Sequence, residues 1–297
     1  MSFQLEIIHL VANIDAVCNP ASFRNPCRKI TLKANSMSKT VTIAIVFFAI
    51  LGGCGKRTNS VTLAGSTAFQ PFAEKLADQY MQKNREAAVT VQGGGSAVGI
   101  QSAISGAAQI GMADLVQLPE EAKYLNATIV ARDGIAVVIH PSNKVSNLTT
   151  QQVRDIFNGT VRNWADVGGE NRPVTVVSRE AGSGTRSSFE QTVGGIALTK
   201  EALIQDSNGT IRETVANDVN AVGYLSHGLL NDKIKAVTID GQECTSAAIA
   251  ADKYPLVRPI FLLVNGEPQG QVKAFIEYVL SVEGQETLKS NGLIPAR

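Results

Sequence analysis

Aromatic residues are scarce, at 5% of 297 residues with a single tryptophan. That excludes a stacking platform for bases or sugars. Histidine is rarer still, with three in the chain. The two that follow position 54, His140 and His227, have no H-x-x-x-H spacing and no cysteine partner. A metal site or a Cys/His pair is not expected, and both histidines are taken as structural. Charge is also sparse: 18% of residues are charged and the formal net charge is +1. No bulk basic field exists for nucleic acid. An anionic ligand has to be held by local geometry.

Long hydrophobic runs are missing too. Val41 to Leu51 (VTIAIVFFAIL) is uncharged and apolar, but a spanning helix needs about 20 such residues. Lys39 precedes the run, and Leu51-Gly52-Gly53-Cys54 follows it. A short basic start, an apolar centre and small residues before a cleavage point describe a secretory signal. The ending resembles a lipobox, in which Cys54 carries lipid and becomes the mature N-terminus. The signal begins naturally at Met37, so residues 37–54 are read as signal peptide and 55–59 as a polar tether. Residues 1–36 are read as a mis-called upstream extension; the alternative is a long n-region starting at Met1. Cysteine number then simplifies: with Cys54 lipidated, Cys244 has no partner and no disulfide is expected.

Three small-residue loops stand out in what remains. They are Ala64-Gly65-Ser66-Thr67-Ala68, Gly93-Gly94-Gly95-Ser96-Ala97 and Arg179-Glu180-Ala181-Gly182-Ser183-Gly184-Thr185. Each follows a strand-like run and opens a helical pattern. Phe69, Phe72, Ala73, Leu76, Ala77 and Tyr80 recur at helical spacing behind the first loop, with Pro71 tolerated in the first turn. Strands are expected at 60–64, 88–92, 109–112, 134–140, 174–177, around Tyr224, and at 235–239 and 260–264. Helices are expected at 98–107, 150–157, 271–280 and 285–290. Strand, loop, helix, strand is the unit of a parallel sheet, and ligands in such sheets lie at the carboxyl ends of strands.

Helix N-termini with free N–H groups bind oxyanions, and arginine adds a planar fork of donors. Three such loops and Arg179 therefore point to an enclosed tetrahedral anion. Each part has a plainer reading when taken alone. Ser66 and Thr67 fit ordinary helix capping. Asp114, at the end of a strand, fits a turn. Arg179 fits a surface ion pair. The Gly93 loop matches neither Walker A nor G-x-G-x-x-G. Ala181 to Thr185 is not G-x-S-x-G, so it is no nucleophile elbow.

Taken together, the loops resemble the phosphate-binding proteins of bacterial ABC importers, within the type 2 periplasmic-binding superfamily. The resemblance runs from Ser60 to Arg297. Its carriers are AGSTAFQPFAEKLA from Ala64, GGGSAVGI from Gly93, GMADLV from Gly111 and DGIAVVIHPSNKVSNLTTQQVRDIFNGTVRNWADVGG from Asp133. SREAGSGTR from Ser178, VGYLS from Val222 and YPLVRPIFLLVNG from Tyr254 complete it. The resemblance implies an α/β, two-lobed fold with ligand in the interlobe cleft. Lobe I is expected at 60–136 plus 256–297 and lobe II at 137–255. It places anion contacts on Ser66, Thr67, Ala68, Ser96, Asp114, Arg179, Ser183, Gly184 and Thr185. Two positions depart from the family: some members carry aspartate where Ala181 stands, and many shorter members read Ser-Arg at Ala113-Asp114.

Asp114 has a physical role if it reaches the ligand. Phosphate near neutral pH keeps a proton, and sulfate does not. A carboxylate accepts that proton, but it faces sulfate with an unmatched lone pair and like charge. Such a buried mismatch costs about 1–3 kcal/mol, which rejects sulfate. The implied protein is a monomeric, exported receptor, anchored by lipid at Cys54 in the periplasm or at the cell surface. It needs no cofactor, binds no nucleic acid, and passes inorganic phosphate to an ABC permease in the membrane. The alternatives are a receptor for sulfate or molybdate, and a phosphatase-like hydrolase.

The anchor is testable directly. Cys54→Ser should abolish lipid attachment and release or mis-process the protein. Retention of the variant in membranes through detergent and salt washes, equal to wild type, would refute the lipobox. One acyl chain gives only marginal anchoring, so mass spectrometry of the wild-type N-terminus should find several.

Overall fold

The computed structural model describes residues 59–296. The segments read as upstream extension, signal peptide and lipidated Cys54, and most of the expected tether, lie outside the described residues. The chain order begins β1 (Ser60–Gly65), α1 (Gln70–Lys83), β2 (Ala88–Gln92), α2 (Ser96–Ser105) and β3 (Ile110–Ala113). It continues through β4 (Leu125–Ile139), β5 (Asn147–Leu148), α3 (Thr150–Phe157), β6 (Thr175–Arg179), α4 (Gly184–Val193) and β7 (Leu203–Gln205). Then come α5 (Asn208–Asn217), β8 (Ala221–Ser226), β9 (Lys235–Ala236), β10 (Thr238–Ile239) and α6 (Ser246–Ala250). The last elements are β11 (Val257–Asn265), α7 (Gly270–Leu280), α8 (Val282–Ser290) and β12 (Ile294–Pro295).

The strands form a path β2-β1-β3-β11-β4-β8-β6-β7. β1 pairs in parallel with β2 and β3, and β6 pairs in parallel with β7 and β8. Between these two parallel wings lies an antiparallel pair, β11 with β4. The wings carry separate cores. One is built from Leu63, Phe72, Leu76, Ile110, Ile260, Phe275 and their neighbours. The other is built from Ile135, Val137, Phe157, Phe189, Val222, Tyr224 and their neighbours. Along β4 the change from one core to the other falls between Ala131 and Ile135. The second crossing lies alongside, where the Ile135 N–H donates to the Leu256 carbonyl at 2.8 Å. Two adjacent crossings make a geometry in which the wings can close on each other.

Local sequence accounts for the loop-helix junctions. Thr149 caps α3 by accepting from the Gln152 N–H, and the Gln152 side chain returns the bond. Ser183 caps α4 by accepting from the Arg186 N–H. Gly65, at φ +133°, and Gly99 let β1 and α2 close onto β3. A Cβ on Gly65 would lie 2.2 Å from the Met112 carbonyl, and one on Gly99 would lie 2.4 Å from it. Only glycine allows that approach.

Some elements differ from the sequence expectation. β4 begins at Leu125 rather than at Gly134, because its first half alternates polar with half-buried residues and lacks the apolar run that marks its second half. The run 235–239 is two short strands. Lys235–Ala236 pairs with β4, whereas Thr238–Ile239 pairs with β5. β7, α5 and α6 were not expected. α5 opens on Asn208-Gly209, which reads as a turn. A capping box between Ser207 and Thr210, with burial of Ile211 and Val215, makes it a helix instead.

Candidate functional site

The three loops meet where the two wings face each other. In the first, Ser66 Oγ accepts from the Phe69 N–H, and the first backbone i to i−4 bond runs from Gln70 to Ser66. The Thr67 and Ala68 N–H groups precede that bond and have no intrahelical acceptor. In the third, the Gly184 and Thr185 N–H groups are the corresponding unpaired donors at the start of α4. The second loop joins the wings: the Ala97 N–H donates to the Gly182 carbonyl at 3.1 Å. Glycine at 184 is required by crowding. A Cβ there would lie 2.1 Å from Ser96 Oγ and 2.5 Å from Asp114 Oδ1.

Arg179 ends β6 with its side chain 1% exposed. Glu180 grips it in a two-pronged pair, Oε2 accepting from Nε at 3.0 Å and Oε1 from Nη2 at 2.8 Å. The Gln205 and Asp206 carbonyls accept further bonds from Nε and Nη2. Nη2 also donates to Thr67 Oγ1 at 3.2 Å, across the wings. Nη1 is buried and has no protein partner. Position 181 is alanine, and Glu180 supplies a carboxylate that orients Arg179. A buried, oriented guanidinium with one free nitrogen beside unpaired N–H groups can hold an anion.

Asp114 is buried, so it is neither an exposed turn residue nor a simple cap. Ser96 Oγ donates to its Oδ1 at 2.6 Å and accepts from its N–H at 3.0 Å. Thr185 Oγ1, from the opposite wing, donates to its Oδ2 at 2.9 Å. Ser188, also from that wing, donates to its carbonyl at 3.0 Å. The hydroxyl hydrogens of Ser96 and Thr185 thus point at Asp114. Those of Ser66, Thr67 and Ser183 are not committed to a described acceptor. Their oxygens accept from Phe69, from Arg179 and Asn208, and from Arg186. All nine expected residues lie in this one region.

Sequence reading missed Glu180, Asn208, Ser226, Asp133 and Arg258. Asn208 Nδ2 reaches Thr67 Oγ1 at 3.3 Å and Thr185 Oγ1 at 3.4 Å, while its Oδ1 accepts from the Ser226 N–H. Ser226 Oγ donates to Asp133 Oδ1, and Asp133 Oδ2 accepts from Arg258 Nη2 at 2.8 Å. Burial pushes the Asp133 carboxyl up from its ordinary range, against the pull of Arg258 and Ser226. Asp133, Ser226 and Arg258 lie in segments that carried the family resemblance, but nothing in one sequence says they meet. Behind the third loop, Ser178 pairs with Tyr224, whose hydroxyl is pushed up to about 12 by burial. Both histidines stand apart from the loops, His140 bonded to Ser142 and His227 to Ser246.

A family model for the PBP superfamily domain matches residues 53–283. The phosphate-binding protein PstS of Bacillus subtilis is 33% identical over 245 residues, covering 81% of this chain and 82% of that protein. A Clostridium perfringens protein, assigned as a phosphate ABC transporter substrate-binding protein and solved with bound phosphate, shares 37% identity at a TM-score of 0.79. The match covers 80% of this chain and all of that one (100%). An ABC-type phosphate transport receptor from Vibrio cholerae shares 34% identity at a TM-score of 0.67, over 79% of this chain and 99% of that one. This chain belongs to the PstS family of phosphate-binding proteins within the PBP superfamily, and its fold is the two-lobed α/β fold of that superfamily.

Gly184→Ala tests the close approach of the two wings. The added methyl collides with Ser96 and Asp114 on the opposite side, and overpacking of this kind costs about 1–3 kcal/mol. The melting temperature should fall and small-angle scattering should show a larger radius of gyration, with an unchanged circular dichroism spectrum. Identical melting and radius would show that the wings do not meet at Gly184 in solution.

Proposed function

We propose that this protein captures inorganic phosphate outside the cytoplasm and delivers it to an ABC permease. The observation that carries the proposal is the buried Arg179 Nη1, unpartnered by protein and set among free helix-start N–H groups. Residues 60–136 plus 256–297 act as one lobe and 137–255 as the other. Loops one and two with Asp114 belong to the first lobe, and loop three with Arg179 to the second. A bound anion touches both and holds them closed. Lipid on Cys54 tethers the receptor, which works as a monomer.

Asp114 gives the site its choice of anion. A carboxylate offers about four acceptor positions. Thr185 donates to Oδ2, beside which Arg258 stands as a countercharge, and Ser96 takes one position on Oδ1. The remaining position on Oδ1 receives the proton of a protonated phosphate. Sulfate brings no proton there. A sulfate or molybdate receptor is the competing binding role, and Asp114 argues against it. A hydrolase is disfavoured because, among the described residues, no side chain accepts from the Ser66 or Ser183 hydroxyl as a general base would.

Calorimetric titration of residues 55–297 with phosphate, sulfate and molybdate tests both parts. Phosphate should bind tightest. A charged hydrogen bond is worth about 1.5–3 kcal/mol, so Arg179→Ala should weaken phosphate at least tenfold while the protein stays folded. Phosphate binding unchanged in that variant would remove Arg179 from the site. Asp114→Asn puts an amide donor where only an acceptor stood. Phosphate should weaken, sulfate should strengthen, and their ratio should narrow at least tenfold, or about 1.4 kcal/mol. An unaltered ratio would show that discrimination arises elsewhere.

A further inference from the structure

Four charged side chains are fully buried among the described residues: Asp114, Asp133, Arg179 and Arg258. Arg179 and Asp114 belong to the anion seat. Arg258 and Asp133 do not line the loops, yet they are built into the same cluster. They sit opposite each other in register on β11 and β4, beside the crossings between the wings. A guanidinium needed only to pair the crossing strands would be satisfied by Asp133. Arg258 does more. Its Nη2 donates to Asp133 Oδ2, while its Nη1 lies 2.6 Å from Asp114 Oδ2. That second contact is ionic and its N–H is not aligned for a hydrogen bond, and Nε has no partner. The fork therefore spans two carboxylates and holds Asp114 by charge.

An isolated carboxylate is expensive to bury, and a cation beside it offsets that cost. Ser96 and Thr185 supply hydrogen bonds to Asp114 but no charge. Arg179 is neutralised by its own two-pronged pair with Glu180. Asp133 is a second buried acid that competes for the same guanidinium. We propose that Arg258 is the positioning residue that sets anion choice, holding Asp114 as an oriented carboxylate that only accepts. The cleft then takes a tetrahedral anion that still carries a proton and turns away one that carries none. This rests on the phosphate-capture role and assigns its selectivity to a residue outside the contact set. Lysine is no substitute, because a point charge does not bridge two carboxylates as a planar fork does.

The test is the ratio of phosphate to sulfate affinity, measured by calorimetry with circular dichroism melts as the folding control. Arg258→Met keeps length and removes the charge. It leaves Asp114 beside Asp133 with no cation to hold its carboxylate toward the anion. Phosphate should weaken, sulfate should lose less or gain, and the ratio should narrow at least tenfold. A role confined to structure would weaken both anions alike. A folded Arg258→Met protein with the wild-type ratio overturns the proposal and leaves phosphate capture standing. Wild-type protein that binds no phosphate overturns phosphate capture itself, and this proposal with it. If Arg258→Met does not fold, Asp133→Asn with Arg258→Met removes the cation and its facing carboxylate together. That double variant still leaves Asp114 without a countercharge, so it should show the same narrowing. A wild-type ratio in the double variant overturns the proposal equally.

Discussion

A carboxylate with 1% exposure at the meeting of two wings sets the terms for everything around it. Asp114 belongs to the first wing by sequence, following directly on β3. Its partners come from three directions: Ser96 at the start of α2, Thr185 at the start of α4 in the other wing, and Arg258 on β11. Removing any one leaves an acceptor or a charge underserved in a place that water does not reach, where the penalty is largest. The second and third loops lie close because they share this group. The tightness that excludes a Cβ at Gly184 follows from the same sharing.

On the proposed site, the charge arithmetic of the cluster shows how a nearly neutral protein can suit an anion. Glu180 takes up Arg179's charge through two bonds, but it leaves Nη1 free. Arg258 is divided between Asp114 and Asp133. No large positive potential remains to attract anions of every kind. What remains is a set of directed donors at fixed positions: Nη1 of Arg179, the N–H groups at two helix starts, and hydroxyls on Ser66, Thr67 and Ser183. Directed donors recognise shape and protonation as well as charge. A basic surface would recognise charge alone and would weaken with salt.

Much of this was legible in the sequence, and what was legible shares one property. Ser66, Thr67, Ala68, Ser96, Ser183, Gly184 and Thr185 lie in short runs where small residues precede a helical pattern. Local signals of that sort survive in a single chain. Arg179 was legible because it adjoins such a run. Asp133 and Arg258 were not, although each stands at a strand position. They lie far apart in the chain, and their partnership depends on the register of β4 against β11, which no local pattern fixes. Asn208 was hidden for another reason. Its Asn-Gly pair reads as a turn, and the helix it begins is held by capping and by two buried aliphatics. Half of β4 was missed because its exposed and half-buried residues weaken the apolar signal.

Glu180 shows how charge is placed around the Arg179 guanidinium. Arg179 needs a carboxylate on its Nε edge if Nη1 is to stay aimed and free. The glutamate, next in sequence, meets that edge with both oxygens. Its side chain remains 32% exposed, whereas the arginine is 1% exposed. The negative charge is therefore kept at the rim, partly in water, while the positive end stays buried. A carboxylate at that depth costs less desolvation than one beside the anion, and it repels the incoming anion less because the surrounding solvent screens it. Arg179 is thus oriented by a carboxylate held at the rim, and its Nη1 is left without a protein partner.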